Sequence, residues 1–289
     1  MELKGIWLPI ITPFYNGEID MQSYERLISH YIQKGITGLI PLGTTGESPT
    51  IKEHEFEEII YRTLTIVDNR VPVFVGVGGN FTEKVLEKIK IVEKYNVDGI
   101  LSVCPYYNRP DQKGLTCHFL KIAEATDLRI IIYNIPYRTG VNLHNDTLIR
   151  LSEQDNIIAV KDSCGDIRQS LELLANKPEG FSVLTGEDIL FFTCMVNGGD
   201  GGVMASAHIK TDLFVNVHNM IKNNDHQKAL QLWRKIEHII PLLFEEPNPG
   251  PIKYILSKME MINSSETRLP LTEISDELKV KLSGIHFSV

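Results

Sequence analysis

The chain has 289 residues, 43% of them hydrophobic and 23% charged, the balance of a globular protein with a sizeable core. Its formal net charge is -8 and no Lys/Arg-rich block occurs, which argues against nucleic acid or an anionic membrane as partner. No basic stretch leading into a long apolar run opens it, and no apolar segment approaches the ~20 residues of a membrane span, so a cytoplasmic protein is expected.

In chain order, short apolar runs closed by polar or glycine-containing residues predict strands at 5–11, 38–42, 71–77, 99–103, 129–133, 157–161, 181–185 and 202–204. Continuous apolar runs suit parallel strands covered on both faces. Helical patterns lie between them. Residues 21–34 put Tyr24, Leu27, Ile28, Tyr31 and Ile32 on one stripe, and residues 82–94 do the same with Val85, Leu86, Ile89 and Val92 behind a Thr82 cap. Eight strand–helix units predict a (β/α)8 TIM barrel, with an open doubly wound sheet as the alternative. The segment Gly76-Val-Gly-Gly79 lacks the third glycine of a dinucleotide fingerprint, and no P-loop occurs.

After about Lys222 the strand pattern stops, and helices are expected at 227–244, 251–261 and 275–283. Residues 1–224 therefore read as the catalytic barrel and 225–289 as a C-terminal helical appendage. The four cysteines, at 104, 117, 164 and 194, form no Cys-x-x-Cys and are expected as free thiols. His54-Glu55 lacks the second histidine of a zinc-protease helix, so no metal is expected.

Barrel active sites lie at the carboxyl ends of the strands, which turns the sequence into a short roster of candidates. Lys161 follows Ile157-Ile-Ala-Val160 and so belongs to a buried strand. A lysine there must reach solvent, pair with Asp162 or Asp188, or become neutral. A neutral amine is a nucleophile toward ketones. An unperturbed lysine, with pKa near ~10.4, is neutral only about once in 2,500 molecules at pH 7, so desolvation must lower that value. Hydroxyls of Tyr133, Tyr107 and Thr44, at other strand ends, can relay protons. Each alone is more commonly a structural group; their occurrence together with Lys161 points to chemistry. The turn Gly43-Thr-Thr-Gly-Glu-Ser48 offers backbone N–H groups and hydroxyls suited to a carboxylate. Arg138 can grip a second carboxylate through paired hydrogen bonds.

These segments, with Pro105-Tyr-Tyr-Asn-Arg-Pro110, Tyr133-Asn-Ile-Pro136, Arg138-Thr-Gly140 and Glu246-Pro-Asn-Pro249, resemble the dihydrodipicolinate synthase / N-acetylneuraminate lyase family over nearly the whole chain. The resemblance implies a barrel enzyme that takes pyruvate as an imine on Lys161, without metal or organic cofactor. It implies a relay of Tyr133, Thr44 and Tyr107, with Tyr107 reaching in from a neighbouring subunit of a homotetramer built as a dimer of dimers. Thr44 and Thr45 would hold the pyruvate carboxylate. Arg138 would bind the carboxylate of an aldehyde co-substrate, and Gly186 and Val203 would line the substrate site. The synthase branch condenses pyruvate with aspartate-4-semialdehyde on the route to lysine, and the Thr44-Thr45 pair, Tyr106-Tyr107 and Arg138 favour it. The alternatives are an aldolase releasing pyruvate from a 2-keto-3-deoxy sugar acid or N-acetylneuraminate, a different 2-oxo-acid lyase or dehydratase of the same family, and a non-catalytic ligand-binding or regulatory descendant. The family's lysine feedback site looks altered: Ser48, Asn80 and Tyr106 match, but Glu53, Phe56 and Lys84 replace two histidines and a glutamate. Weak or absent lysine inhibition is expected.

Overall fold

A computed structural model describes residues 2–285. The expected C-terminal region runs to 289, and its residues 286–289, like residue 1, lie outside those described. Eight strands fall at Gly5–Leu8 (β1), Gly38–Leu39 (β2), Phe74–Gly76 (β3), Gly99–Val103 (β4), Arg129–Asn134 (β5), Ile157–Asp162 (β6), Ser182–Thr185 (β7) and Gly201–Val203 (β8). They form one sheet in the order β2-β1-β8-β7-β6-β5-β4-β3. The last strand lies beside the first, which separates a (β/α)8 barrel from the open doubly wound alternative.

By contact the chain falls into two compact units, one of Pro72–Val203 with the residues up to Gly5, the other of Ile6–Val71 with the residues from Met204 onward. The first unit holds β3 to β8, paired in parallel with their chain neighbours. Ile130, Ile131, Ile132, Ala159 and Val160 in its two longest strands are fully buried, as expected of a sheet covered on both faces. Close packing dictates Gly99: a Cβ there would come within 2.4 Å of the Phe74 ring. The helix Thr82–Val92 begins one residue earlier than a Thr82 cap would allow. Phe81 occupies the cap position, and the Thr82 hydroxyl pairs with His118 Nδ1 at 2.9 Å instead.

The second unit holds β2, most of β1, a small hairpin of Phe14–Tyr15 with Glu18–Ile19, and the C-terminal helices. Asp20 caps the helix Met21–Gln33 by accepting from Ser23 N–H. The single helix expected over 227–244 is instead two, His226–Trp233 and Ile240–Leu243. Pro241 lies in the first turn of the second, where its missing N–H costs nothing. Gly250–Lys258 and Asp276–Ser283 follow, the latter capped by Ser275. No helix among the described residues is long and apolar enough to cross a membrane.

Candidate active site

Strands β5 and β6 run in register so that Tyr133 stands opposite Lys161 and Asn134 opposite Asp162. Lys161 is 6% exposed, and its Nζ lies 4.1 Å from the centre of the Tyr133 ring. Burial pulls its amine down from the ordinary 10.5 to about 8, and Arg138 pushes the same way. The carboxylates of Asp188 and Glu187 oppose that fall without cancelling it. Asp162 is committed elsewhere: its Oδ2 accepts from the Ser170 hydroxyl at 2.5 Å and its Oδ1 from Cys164 N–H at 3.1 Å.

Gly186 follows β7 and is bare for a steric reason. A Cβ on it would lie 2.6 Å from Lys161 Cε, 2.9 Å from its Cγ and 2.3 Å from Ser163 Oγ. The next residue, Glu187, is half-buried, and burial together with Asp188 raises its carboxyl to about 7. Glu187 was not among the expected site residues. Its place one position after Gly186 at a strand end was the available signal.

Arg138 sits on the short helix Pro136–Thr139, its guanidinium 5.4 Å from the Tyr137 ring centre. Val203 is buried in β8. Tyr107 stands apart from this group, 89% exposed and in the left-handed region at φ 73°. Its loop is fixed on both sides: Asn108 Nδ2 donates to the Asn80 carbonyl at 2.7 Å, and Arg109 Nε to the Gly140 carbonyl at 2.8 Å. Tyr107 is thus held in a strained backbone conformation with its ring in solvent.

In the second unit the turn Gly43-Thr-Thr-Gly-Glu-Ser48 closes on itself. Gly46 N–H and Ser48 N–H both donate to the Gly43 carbonyl, at 3.1 and 3.3 Å, and Glu47 N–H donates to the Thr44 carbonyl at 3.0 Å. The Thr12 hydroxyl donates to the Gly46 carbonyl at 2.8 Å. Thr45 is buried and its hydroxyl accepts from Asn248 Nδ2 at 3.0 Å, whereas Thr44 is partly exposed. Among the described residues no group of three or more His, Cys, Asp or Glu is disposed to hold a metal ion.

A barrel with a desolvated amine beside a tyrosine at adjacent strand ends is the frame of a (β/α)8 lyase. The family model described as the dihydrodipicolinate synthetase family matches residues 2–286. The 4-hydroxy-tetrahydrodipicolinate synthase 2 of Clostridium acetobutylicum is 54% identical, over 98% of this chain and 99% of its own. The 4-hydroxy-tetrahydrodipicolinate synthase of Thermotoga neapolitana is 40% identical over 98% and 97%. Among solved structures, the dihydrodipicolinate synthase of Thermotoga maritima superposes with a TM-score of 0.96 at 38% identity, over 98% of this chain and 97% of its own. A monomeric dihydrodipicolinate synthase variant superposes at 0.95 with 38% identity, over 97% and 95%. The chain belongs to the dihydrodipicolinate synthetase family.

Proposed function

We propose that this chain condenses pyruvate with L-aspartate-4-semialdehyde to give 4-hydroxy-tetrahydrodipicolinate, holding pyruvate as an imine on Lys161. The observation that carries the reading is the Lys161 amine, buried against Tyr133 and brought down to about 8. The neutral amine adds to the C2 carbonyl of pyruvate, and loss of water leaves a protonated iminium. The iminium draws electrons from C3, a C3 proton departs, and the resulting enamine carbon attacks the aldehyde carbon of the second substrate, whose oxygen takes up a proton. The amino group of that substrate then adds to C2 and displaces the Lys161 amine, closing the ring and freeing the lysine. Tyr133, Thr44 and Tyr107 carry protons to and from these atoms. Thr44 and Thr45 hold the pyruvate carboxylate, Arg138 holds that of the semialdehyde, and Gly186 and Val203 line the substrate. The segment up to residue 224 supplies this chemistry, and that from 225 is its helical appendage.

The exposure and left-handed backbone of Tyr107 support a site completed by a neighbouring copy, within a tetramer that is a dimer of dimers. The cytoplasm is the proposed compartment. The test is borohydride reduction with pyruvate, followed by peptide mapping. A three-carbon adduct on Lys161 is expected, and an unchanged mass removes the proposal. Turnover with the semialdehyde is then compared with glyceraldehyde and N-acetylmannosamine; faster reaction with either sugar aldehyde would replace the co-substrate.

A further inference from the structure

Glu47 lies three residues beyond Thr44, in a left-handed backbone conformation with φ 54° and ψ 36°, and its side chain is buried. Both carboxylate oxygens are occupied. Oε1 accepts from the Lys253 ammonium, and Oε2 accepts the backbone N–H of Arg268 at 3.0 Å. Lys253 comes from the helix Gly250–Lys258 and is 0% exposed. Its Nζ also donates to the Glu266 carbonyl at 2.9 Å and lies 4.1 Å from the centre of the Phe14 ring. Arg268 lies against the same ring at 4.2 Å and gives Glu55 two hydrogen bonds of 2.6 Å. Burial pushes the Lys253 amine down while Glu47 holds it up.

Stability alone does not account for such a pair. A buried ion pair is commonly no more stabilising than well-packed apolar side chains of the same volume. Its position is more telling. The carboxylate clamps the turn that carries Thr44 and Thr45, yet an unbalanced anion there would repel an incoming carboxylate, the more strongly for being out of water.

We infer that Lys253 is a positioning residue that neutralises Glu47, so that one turn is both clamped by a buried carboxylate and receptive to an anionic 2-oxo acid. The inference rests on the proposed role of Thr44 and Thr45 and deepens it. Lys253 acts on the substrate through Glu47.

The test reads the pyruvate concentration that half-saturates borohydride trapping on Lys161, alongside steady-state KM and kcat and a thermal melt. With Lys253→Met, half-saturation and pyruvate KM should rise about tenfold or more, as expected for a buried charge left without its partner. The kcat at saturating pyruvate and the aldehyde KM should stay close to wild type. Glu47→Gln removes the anion and keeps an acceptor for Arg268 N–H, so pyruvate half-saturation should hold or fall. Glu47→Gln/Lys253→Met should return to within about threefold of wild type. Unchanged trapping in Lys253→Met, or a double variant as weak as Lys253→Met, overturns the inference. Should Lys253→Met fail to fold, Glu47→Gln still decides: weaker pyruvate capture would mean that the carboxylate serves only to hold the turn. Wild-type protein that traps no pyruvate would instead sink the proposed function and is read separately.

Discussion

Raising the pH should switch on imine formation near pH 8, well below where an ordinary lysine would respond. Burial moves the Lys161 amine from 10.5 to about 8. At pH 7 that takes its neutral fraction from roughly one in 3,000 to roughly one in ten, a gain of about 300-fold. The assay is the initial rate of cyanoborohydride trapping with saturating pyruvate, followed by intact mass across the pH range. Because only the neutral amine attacks, the rate should climb about tenfold per pH unit below the midpoint and level off above it. Two variants test the physical cause. Glu187→Gln removes an anion that favours the ammonium, so the midpoint should move down; Arg138→Ala removes a cation that disfavours it, so the midpoint should move up. A midpoint at the ordinary lysine value, or both variants moving the same way, would refute the argument.

Three more outcomes are expected. Gly186→Ala puts a methyl 2.6 Å from Lys161 Cε, so trapping should slow by about 100-fold through a displaced amine, while the circular dichroism spectrum stays native. In Arg138→Ala, condensation should fall about 100-fold or more while the trapped adduct still accumulates, the outcome that the proposed grip of the guanidinium on the second carboxylate requires; equal loss of both steps would make the arginine architectural. Free lysine should inhibit weakly or not at all, because Lys84 is a cation, paired to Glu87 at 2.7 Å on an exposed face, where a ligand ammonium needs an anion; half-inhibition below millimolar lysine would contradict this.

The strands were legible because each is a local event. A run such as Ile157-Ile-Ala-Val160 followed by a charged residue announces both a buried strand and its end, and β6 indeed closes on Lys161 and Asp162. Errors arose where a distant partner outbid a local rule. Thr82 could cap its own helix, but His118 takes its hydroxyl. Residues 227–244 read as one amphipathic helix until Pro241 restarts it. The Glu47–Lys253 pair joins residues 206 positions apart, and nothing periodic reports such a contact. Its only trace was a lysine inside the apolar run Pro251-Ile-Lys-Tyr-Ile-Leu256, the same kind of clue that drew attention to Lys161.

The cluster around Phe14 also sets a timetable. Glu47 leaves the ribosome well before Lys253 and Arg268, which follow it by 206 and 221 positions. Pro72–Val203, which carries Lys161, is one unbroken stretch whose strands pair in sequence and can organise while the rest is still being made. A chain still in synthesis thus holds Lys161 before the Glu47–Lys253 pair can form, and the turn that carries Thr44 and Thr45 gains its buried clamp later than the strands around that lysine.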